Sequence, residues 1–199
     1  MAMLRYDEVT MVAALARGPL PLRTAFAAAC AERLLPAYEE YCRQTGRGDP
    51  TVLAGILDRV WAALLGAEMS AEQIRGEIDR CMPLIPEEDD EPWVDEQAYA
   101  DDAASAVAYT LRALETGKTQ EAAWAARRAY EAVDHHVTHR LAVEGDEHVL
   151  AHPVVQGELA RQRRDLDELV DGTAVATDLI ARLRDRARAE ASIVFVSAT

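Results

Sequence analysis

The chain has 199 residues, half of them apolar and 6% aromatic, and it carries a net charge of −14 at pH 7. This length is enough for one hydrophobic core without disulfides or metal ions, and the negative charge argues against a nucleic-acid partner. No apolar run is long enough to span a membrane and the N-terminus is unlike a signal peptide, so we expect a cytoplasmic protein with no membrane partner.

Two antiparallel helices are predicted early in the chain, after a short first helix over residues 4–16. Within residues 26–61, apolar side chains recur at three- and four-residue steps in two stretches, which is the period of one helical face. Pro36 lies inside the first stretch and predicts a kink there. Between the stretches, Gly46 can end one helix in the left-handed conformation and Asp49 can cap the next. We therefore expect a central helical hairpin with a proline kink.

Motifs in and beyond this hairpin resemble those of a known family. They are Glu32-Arg33-x-x-Pro36-x-Tyr38-x-x-Tyr41, Thr45-Gly46-x-Gly48-Asp49 and Leu57-Asp58-x-x-Trp61, followed by Asp102-Ala103, Gly117, residues 153–162 and Ile193-Val194-Phe195. The pattern resembles the YjaG-like family of uncharacterised bacterial proteins, also called domain of unknown function 416, over most of the chain from about residue 22. The resemblance implies an all-helical cytoplasmic bacterial protein with no established activity.

An acidic run separates the N-terminal and C-terminal helical halves of what we expect to be a single domain over residues 1–199. Residues 87–102 contain nine acids and no base. The run is predicted to begin as a loop at residues 86–92 and to continue into a helix that reaches Thr116. It is either a solvated loop with acids at a helix N-terminus or a docking surface for a basic protein. The candidate partner-binding residues are Glu87, Glu88, Asp89, Asp90, Glu91, Asp95 and Glu96.

The helix predicted over residues 119–143 carries an acid and two histidines at four-residue steps. Glu131, His135 and His139 therefore share one face. One carboxylate and two imidazoles can bind a divalent metal ion, which makes this trio a metal candidate. The alternative is a polar helix face exposed to solvent and pointing away from the core. We favour that alternative because no fourth ligand is evident, and we assign no metal or other cofactor.

The last predicted helix is long and begins at Pro153. Its apolar stripe continues past Gly172, where a bend is expected. Gln162 interrupts the stripe, and a buried amide must find hydrogen-bond partners. The arginines among residues 182–188 predict an exposed helix end with surface salt bridges. The tail over residues 192–196 is rich in strand-forming residues, and we expect it to pack in extended form on the helices.

Polar residues that match the family motifs form a candidate cluster. They are Glu32, Arg33, Tyr38, Asp58, Asp102, Glu158 and Gln162. They either line a pocket or serve the architecture, with Arg33 paired to an acid and the others capping helices or satisfying buried groups. We favour the architectural interpretation because buried ion pairs in helical bundles are often structural. The sequence has no nucleophile with an adjacent base, no phosphate-binding glycine loop and no paired-cysteine metal motif, which argues against an enzyme.

The sequence therefore predicts an all-α, single-domain helical bundle of about six to seven helices, with a proline-kinked central hairpin and a short extended C-terminal tail. Two functional hypotheses remain. The first is a protein-binding or regulatory module whose acidic surface engages a basic protein, in the manner of an immunity protein that blocks a basic toxin. The second is a metal-dependent or small-ligand-binding enzyme that uses a cluster of histidine and acidic side chains. The oligomeric state is left open, with a homodimer as one alternative.

Overall fold

The computed structural model describes residues 3–86, 96–171 and 177–194, and these ranges contain nine α-helices and no strand. The helices are α1 (Glu8–Arg17), α2 (Leu20–Thr45), α3 (Pro50–Leu64), α4 (Ala71–Cys81), α5 (Glu96–Thr116), α6 (Thr119–His135), α7 (Asp146–Ala151), α8 (Pro153–Asp171) and α9 (Thr177–Val194). A 3₁₀ turn, Met82–Leu84, follows α4, and a π turn, His136–Arg140, follows α6. The all-α prediction is confirmed, with more helices than the six to seven expected.

Helix α2 is the centre of the fold. All residues from Thr24 to Leu34 are buried, a run of three turns with no exposed side. A helix that is buried all round must be surrounded by other elements, and α2 contacts α3, α5, α6, α8 and α9. Polar groups placed on α2 are consequently buried, and they need partners on the surrounding helices.

Alanine allows the central helices to lie close together. In α2, five of the seven residues from Ala25 to Ala31 are alanine, and all of them are buried. Buried alanines also line α5 and α6. Together with α9, these two helices make the most extensive contacts with α2. Alanine has the highest helix propensity and loses no side-chain entropy on burial. The high alanine content of the chain thus supports both helix formation and close packing.

The predicted hairpin is confirmed at its turn. Gly46 ends α2 with a left-handed φ of 68°, and its backbone N–H donates to the carbonyl of Cys42. Asp49 caps α3 through Oδ1, which accepts hydrogen bonds from the backbone N–H groups of Thr51 and Val52. Pro36 lies inside α2, which continues beyond it to Thr45.

Two glycines in this turn differ in the space around them, which yields a matched pair of variants. Both have positive φ, but a Cβ on Gly46 would meet nothing within 4 Å, whereas a Cβ on Gly48 would lie 2.5 Å from the hydroxyl of the buried Tyr38. We expect Gly46→Ala to lower the free energy of unfolding by about 1–2 kcal/mol, the cost of a left-handed non-glycine residue. Gly48→Ala should cost more because Tyr38 must also move. Urea unfolding of both variants measures the difference, and equal losses would contradict the steric argument.

The C-terminal region differs from its prediction. The expected single long helix is wrong, because α8 and α9 are separate and antiparallel: Arg164 pairs with Glu190, and Glu168 pairs with Arg186. An apolar stripe alone does not distinguish one long helix from two that bury the same side against a common core. Gly172, the predicted bend, lies outside the described residues.

The predicted extended tail is also wrong at its start. Helix α9 continues to Val194, so the first residues of that tail are helical. Residues 195–199 lie outside the described part of the chain. None of the helices that the structure describes is both long enough and apolar enough to cross a membrane.

Candidate functional site

An ion network surrounds Arg33, whose side chain is 1% exposed. Its Nε and Nη2 donate to the two carboxylate oxygens of Glu158 at 3.0 and 2.8 Å, and its Nη1 donates to Asp165 at 2.9 Å. Burial would lower the pKa of Arg33, but the neighbouring carboxylates outweigh it and raise that pKa above its ordinary value. The guanidinium therefore stays charged inside the protein.

The same network joins four helices. Gln162 donates from Nε2 to Glu158 at 3.0 Å and to the carbonyl of Ala126 on α6 at 2.9 Å. Asp165 also accepts from Arg164, and from Arg186 on α9. The sequence-predicted Arg33, Glu158 and Gln162 are thus brought together, while the role of Asp165 was missed. Its signal was the spacing of Glu158, Gln162 and Asp165, which places all three on one face of α8.

A second polar group connects α2, α3 and α9. The indole Nε1 of Trp61 donates to Glu32 at 2.7 Å, and Arg188 donates to Glu32 at 2.7 Å and to Asp58 at 2.5 Å. Arg184 also donates to Asp58. Both arginines are salt-bridged as expected, with Arg188 exposed and Arg184 half-buried, and their pairs also hold α9 against the central hairpin.

The two remaining members of the predicted cluster lie elsewhere. The hydroxyl of Tyr38 donates to the carbonyl of Leu84 at 3.0 Å, which ties α2 to the 3₁₀ turn. Asp102 lies on α5 and is ion-paired with Arg128 of α6. The seven residues therefore do not line one pocket, and among the clefts formed by residues 3–86, 96–171 and 177–194 the largest one described is bordered by Asp102 and by none of the other six.

That cleft is the larger lobe of a groove on the α5–α6 side of the fold. Its volume is about 620 Å³, and a second lobe of about 360 Å³ shares Tyr130, Asp134 and Thr138 with it. These three residues lie at four-residue steps and form the ridge between the lobes. We call the combined feature the acidic groove. Its charged and aromatic wall consists of Asp101, Asp102, Arg128, Tyr130, Glu131, Asp134, His135 and His139, with Arg5, Tyr6, Asp146 and Glu147 in the smaller lobe.

One arginine faces three carboxylates in the larger lobe. Arg128 Nη1 lies 3.1 Å from Asp102, 3.6 Å from Asp101 and 3.5 Å from Glu131. Burial raises the pKa of Asp102 from 3.8 to about 7; Arg128 opposes this rise, and the negative charges of Asp101 and Glu131 add to it. A carboxyl that titrates near neutrality in a cleft is a candidate for acid–base or ligand-binding chemistry.

The histidines lie on the wall of the groove. Glu131 and His135 are half-buried, and the ring centroids of His135 and His139 are 4.1 Å apart. The face we expected to point into solvent therefore borders a cleft. His139 lies in the π turn that follows α6 and is exposed, whereas Glu131 and His135 lie on α6 itself. Within the described ranges, no three histidine, cysteine, aspartate or glutamate side chains are arranged to hold a metal ion, and this includes the predicted trio.

The Asp102 carboxyl provides a pH test of the groove. We expect its ¹³C NMR resonance to titrate with a midpoint near pH 7, and we expect Arg128→Gln to move the midpoint higher because the opposing cation is lost. Between pH 3.8 and about 7 the folded protein binds this proton and the unfolded chain does not, so stability should fall as pH rises. Asp102→Asn should remove that part of the pH dependence. A midpoint at the ordinary value would contradict the argument.

The candidate partner-binding residues belong to the segment 87–96, whose two sequence neighbours are at the groove. Pro86 and Gln97, the residues before and after this segment, both line the larger lobe. Glu96, the first residue of α5, accepts a hydrogen bond from Gln44 at 3.0 Å. The other candidate partner-binding residues, Glu87, Glu88, Asp89, Asp90, Glu91 and Asp95, lie outside the described residues.

Comparison with known proteins adds a family and a structural relative. A family model described as "Protein of unknown function (DUF416)" matches residues 14–192. The crystal structure of a DUF416 family protein from Shewanella baltica OS155 is similar, with a TM-score of 0.77 and 23% identity over 88% of this chain and 92% of that one. At this identity the similarity establishes the fold. No curated protein matches the chain.

Proposed function

We propose that this chain, which belongs to the DUF416 family of proteins of unknown function, is a protein-binding module that holds a basic partner in the acidic groove. The family assigns no activity, so the proposal rests on the groove itself. The observation that carries it is a concentration of negative charge inside a concave surface. An immunity-like role, in which the partner is a basic toxin, is the specific form of this proposal.

The charge of the groove selects for cations. Six carboxyl groups and two arginines line the two lobes, which gives a net charge of −4 with the histidines neutral when Asp102 is ionised and −3 when it is protonated. A cleft lined by one sign of charge concentrates oppositely charged groups and accelerates their association.

The shape of the groove suits side chains more than a flat interface. Each lobe lies within the roughly 300–1,000 Å³ typical of ligand-binding clefts. Carboxylates bind guanidinium groups with two parallel hydrogen bonds, and tyrosine rings attract cations through their faces. Tyr6 and Tyr130 stack with centroids 5.5 Å apart in the smaller lobe. Two basic side chains of one partner can therefore occupy the two lobes on either side of the ridge.

A charge-matched pair of variants tests the location of binding. The groove variant combines Asp101→Asn, Glu131→Gln and Asp134→Asn, and the control variant combines Glu68→Gln, Glu72→Gln and Asp79→Asn, three exposed acids around α4. The probe is a hexa-arginine peptide, measured by calorimetry at low and physiological salt. We expect binding that weakens with salt, and a loss of about tenfold or more for the groove variant only.

The control variant makes the comparison informative, because both variants lose three negative charges. Equal losses in the two variants would show that the peptide responds only to overall charge, and they would overturn the proposal. Unchanged affinity in the groove variant would do the same.

A second candidate is a small-ligand-binding enzyme, and one observation favours it. Asp102, with its pKa raised to about 7, lies in the same cleft as the imidazoles of His135 and His139, so the lobe holds a carboxyl able to exchange a proton near neutrality beside two further polar rings. The NMR titration described above also tests this candidate. If Asp102 titrates at its ordinary value, the cleft has no carboxyl suited to general acid catalysis at neutral pH.

A further inference from the structure

An open groove lies between α3 and α4, and its volume is about 330 Å³. Half of its wall consists of apolar residues and one glycine: Ala62, Ala63, Ala67, Met69 and Gly76. Two arginines, two glutamates and a glutamine complete the wall. Ala62, Ala67 and Gly76 are exposed to solvent. The groove is therefore a surface with small side chains along its length, onto which another helix can pack closely.

Gly76 lies inside α4, where its own surroundings do not require a glycine. It has no positive φ, it is exposed, and a Cβ added to it would meet none of the described residues within 4 Å. Glycine in a helix interior is less favourable than alanine, so this residue weakens α4 without relieving any of these contacts. Glycine also allows another backbone to approach closely. A second molecule that crosses α4 at this point accounts for it.

The charges around Gly76 are placed symmetrically and have opposite signs. Glu72 precedes Gly76 by four residues and Arg80 follows it by four, so the three lie in one row along α4, and all are exposed. Each charge lies about 6 Å from Gly76 along the helix axis, at 1.5 Å per residue. The row reads acid, glycine, base in one direction and base, glycine, acid in the other. It is therefore complementary to a second copy of itself that runs the opposite way.

Both charges of the row can accept a further partner. Arg80 lies 3.1 Å from Glu77, but Glu77 also pairs with Arg59 at 2.7 Å. Two guanidinium groups thus share one carboxylate, and the Arg80 side chain is 50% exposed. Glu72 has no ion-pair partner among the residues that the structure describes. A carboxylate brought to Arg80 and a guanidinium brought to Glu72 would each gain an ion pair.

We propose that this face of α4 is the interface of a homodimer, in which α4 of one copy crosses α4 of a second copy at Gly76 in the opposite direction. Glu72 of each copy pairs with Arg80 of the other, and each copy covers the apolar wall of the other's groove. A two-fold arrangement makes both ion pairs at once. Because α4 has 11 residues, its face is smaller than the roughly 800 Å² that each partner contributes to a standard interface. We therefore expect a dissociation constant of about 10–100 µM.

Two charge reversals test the pairing. Sedimentation velocity over chain concentrations from about 5 to 500 µM measures the self-association. We expect Glu72→Arg and Arg80→Glu each to weaken it by about tenfold or more, because both contacts between the copies become like-charge pairs. An equimolar mixture of the two variants should associate about as tightly as the unchanged chain, because both contacts are then again between opposite charges.

A matched pair of glycine variants tests the crossing point. Gly76→Gln adds a side chain for which the monomer has room, and glutamine forms helices better than glycine, so the variant should unfold at no lower urea concentration. It should nevertheless show no dimer up to about 500 µM. Gly157→Gln is the control and should associate like the unchanged chain, since a Cβ on Gly157 would meet only the Arg161 side chain, at an ordinary contact distance of 3.7 Å.

The dimer interface and the acidic groove share no residue, so the two proposals fail separately. The variant that neutralises Glu68, Glu72 and Asp79 should self-associate less, whereas the groove variant should self-associate like the unchanged chain. An unchanged chain that stays monomeric over the whole range, a Gly76→Gln variant that dimerises as before, or a mixture that associates no more tightly than the single charge variants would overturn the inference.

Discussion

Arg33→Met should lower the free energy of unfolding by about 3–5 kcal/mol, the cost of removing one partner from a buried ion pair. The guanidinium is almost fully buried and donates both bonds of a bidentate pair to Glu158. Asp165 keeps Arg164 and Arg186, whereas Glu158 loses its two shortest ionic contacts. The uncompensated charge is therefore mainly that of Glu158. Urea unfolding followed by circular dichroism measures the loss.

Two further variants distinguish the effect of the unpaired buried charge from the effect of losing the packing contacts of the Arg33 side chain. Arg163→Met is the control and removes an exposed arginine from α8, the helix that carries Glu158 and Asp165. The Arg163 side chain is 66% exposed, so its ion pair with Asp167 should contribute less than about 1 kcal/mol to the free energy of unfolding. Combining Arg33→Met with Glu158→Met should recover much of the stability, because no buried charge is then left unpaired. If the double variant is as unstable as Arg33→Met alone, the loss arises from packing and not from charge.

Trp61→Ala should also lower the free energy of unfolding by about 3–5 kcal/mol, the range found for large aromatic residues truncated in a core. Trp61 is 0% exposed and is among the largest fully buried side chains of the described residues. Its removal leaves a cavity where α2, α3 and α9 meet, and it deprives Glu32 of the indole donor. Glu32 retains Arg188, so its charge stays paired.

The two parts of this effect can be measured separately. Trp61→Phe keeps most of the volume and removes the indole donor, so its cost should be about 1–3 kcal/mol. Trp124 is the control, because it is half-buried and its ring contacts Tyr109 with centroids 5.4 Å apart. Trp124→Ala should destabilise less than Trp61→Ala. The opposite order would mean that the core is not centred on the hairpin.

The hairpin could be predicted because its determinants are local. Gly46 ends α2 and Asp49 caps α3 through atoms within a few residues of each other, and such rules hold whatever the rest of the chain does. The burial of Arg33 was harder to predict. Its partners lie 125 and 132 residues away, and only the family motif singled out Glu158.

Three other features could not be predicted from the sequence: the burial of Asp165, the acidic groove and the separation of α8 from α9. Asp165 lies among charged neighbours in α8 and therefore resembles part of a solvated face, although α9 covers it. The acidic groove depends on the packing of α5 against α6, which brings together residues far apart in the sequence, and part of its wall, Thr138 and His139, lies in a π turn that has no clear sequence signal. The separation of α8 from α9 was likewise hidden, since both bury apolar residues against the same core.

The enclosed run from Thr24 to Leu34 restricts how this family can vary in length. Inserting one residue there would rotate the following part of α2 by about 100°, since an α-helix has 3.6 residues per turn. Arg33 would then point away from Glu158, and each small side chain after the insertion would face a neighbour shaped for a different one. Because this segment has no exposed side, the misplaced side chains could not turn toward solvent. Additions and deletions in relatives should therefore occur in the connections between helices and not in this buried part of α2.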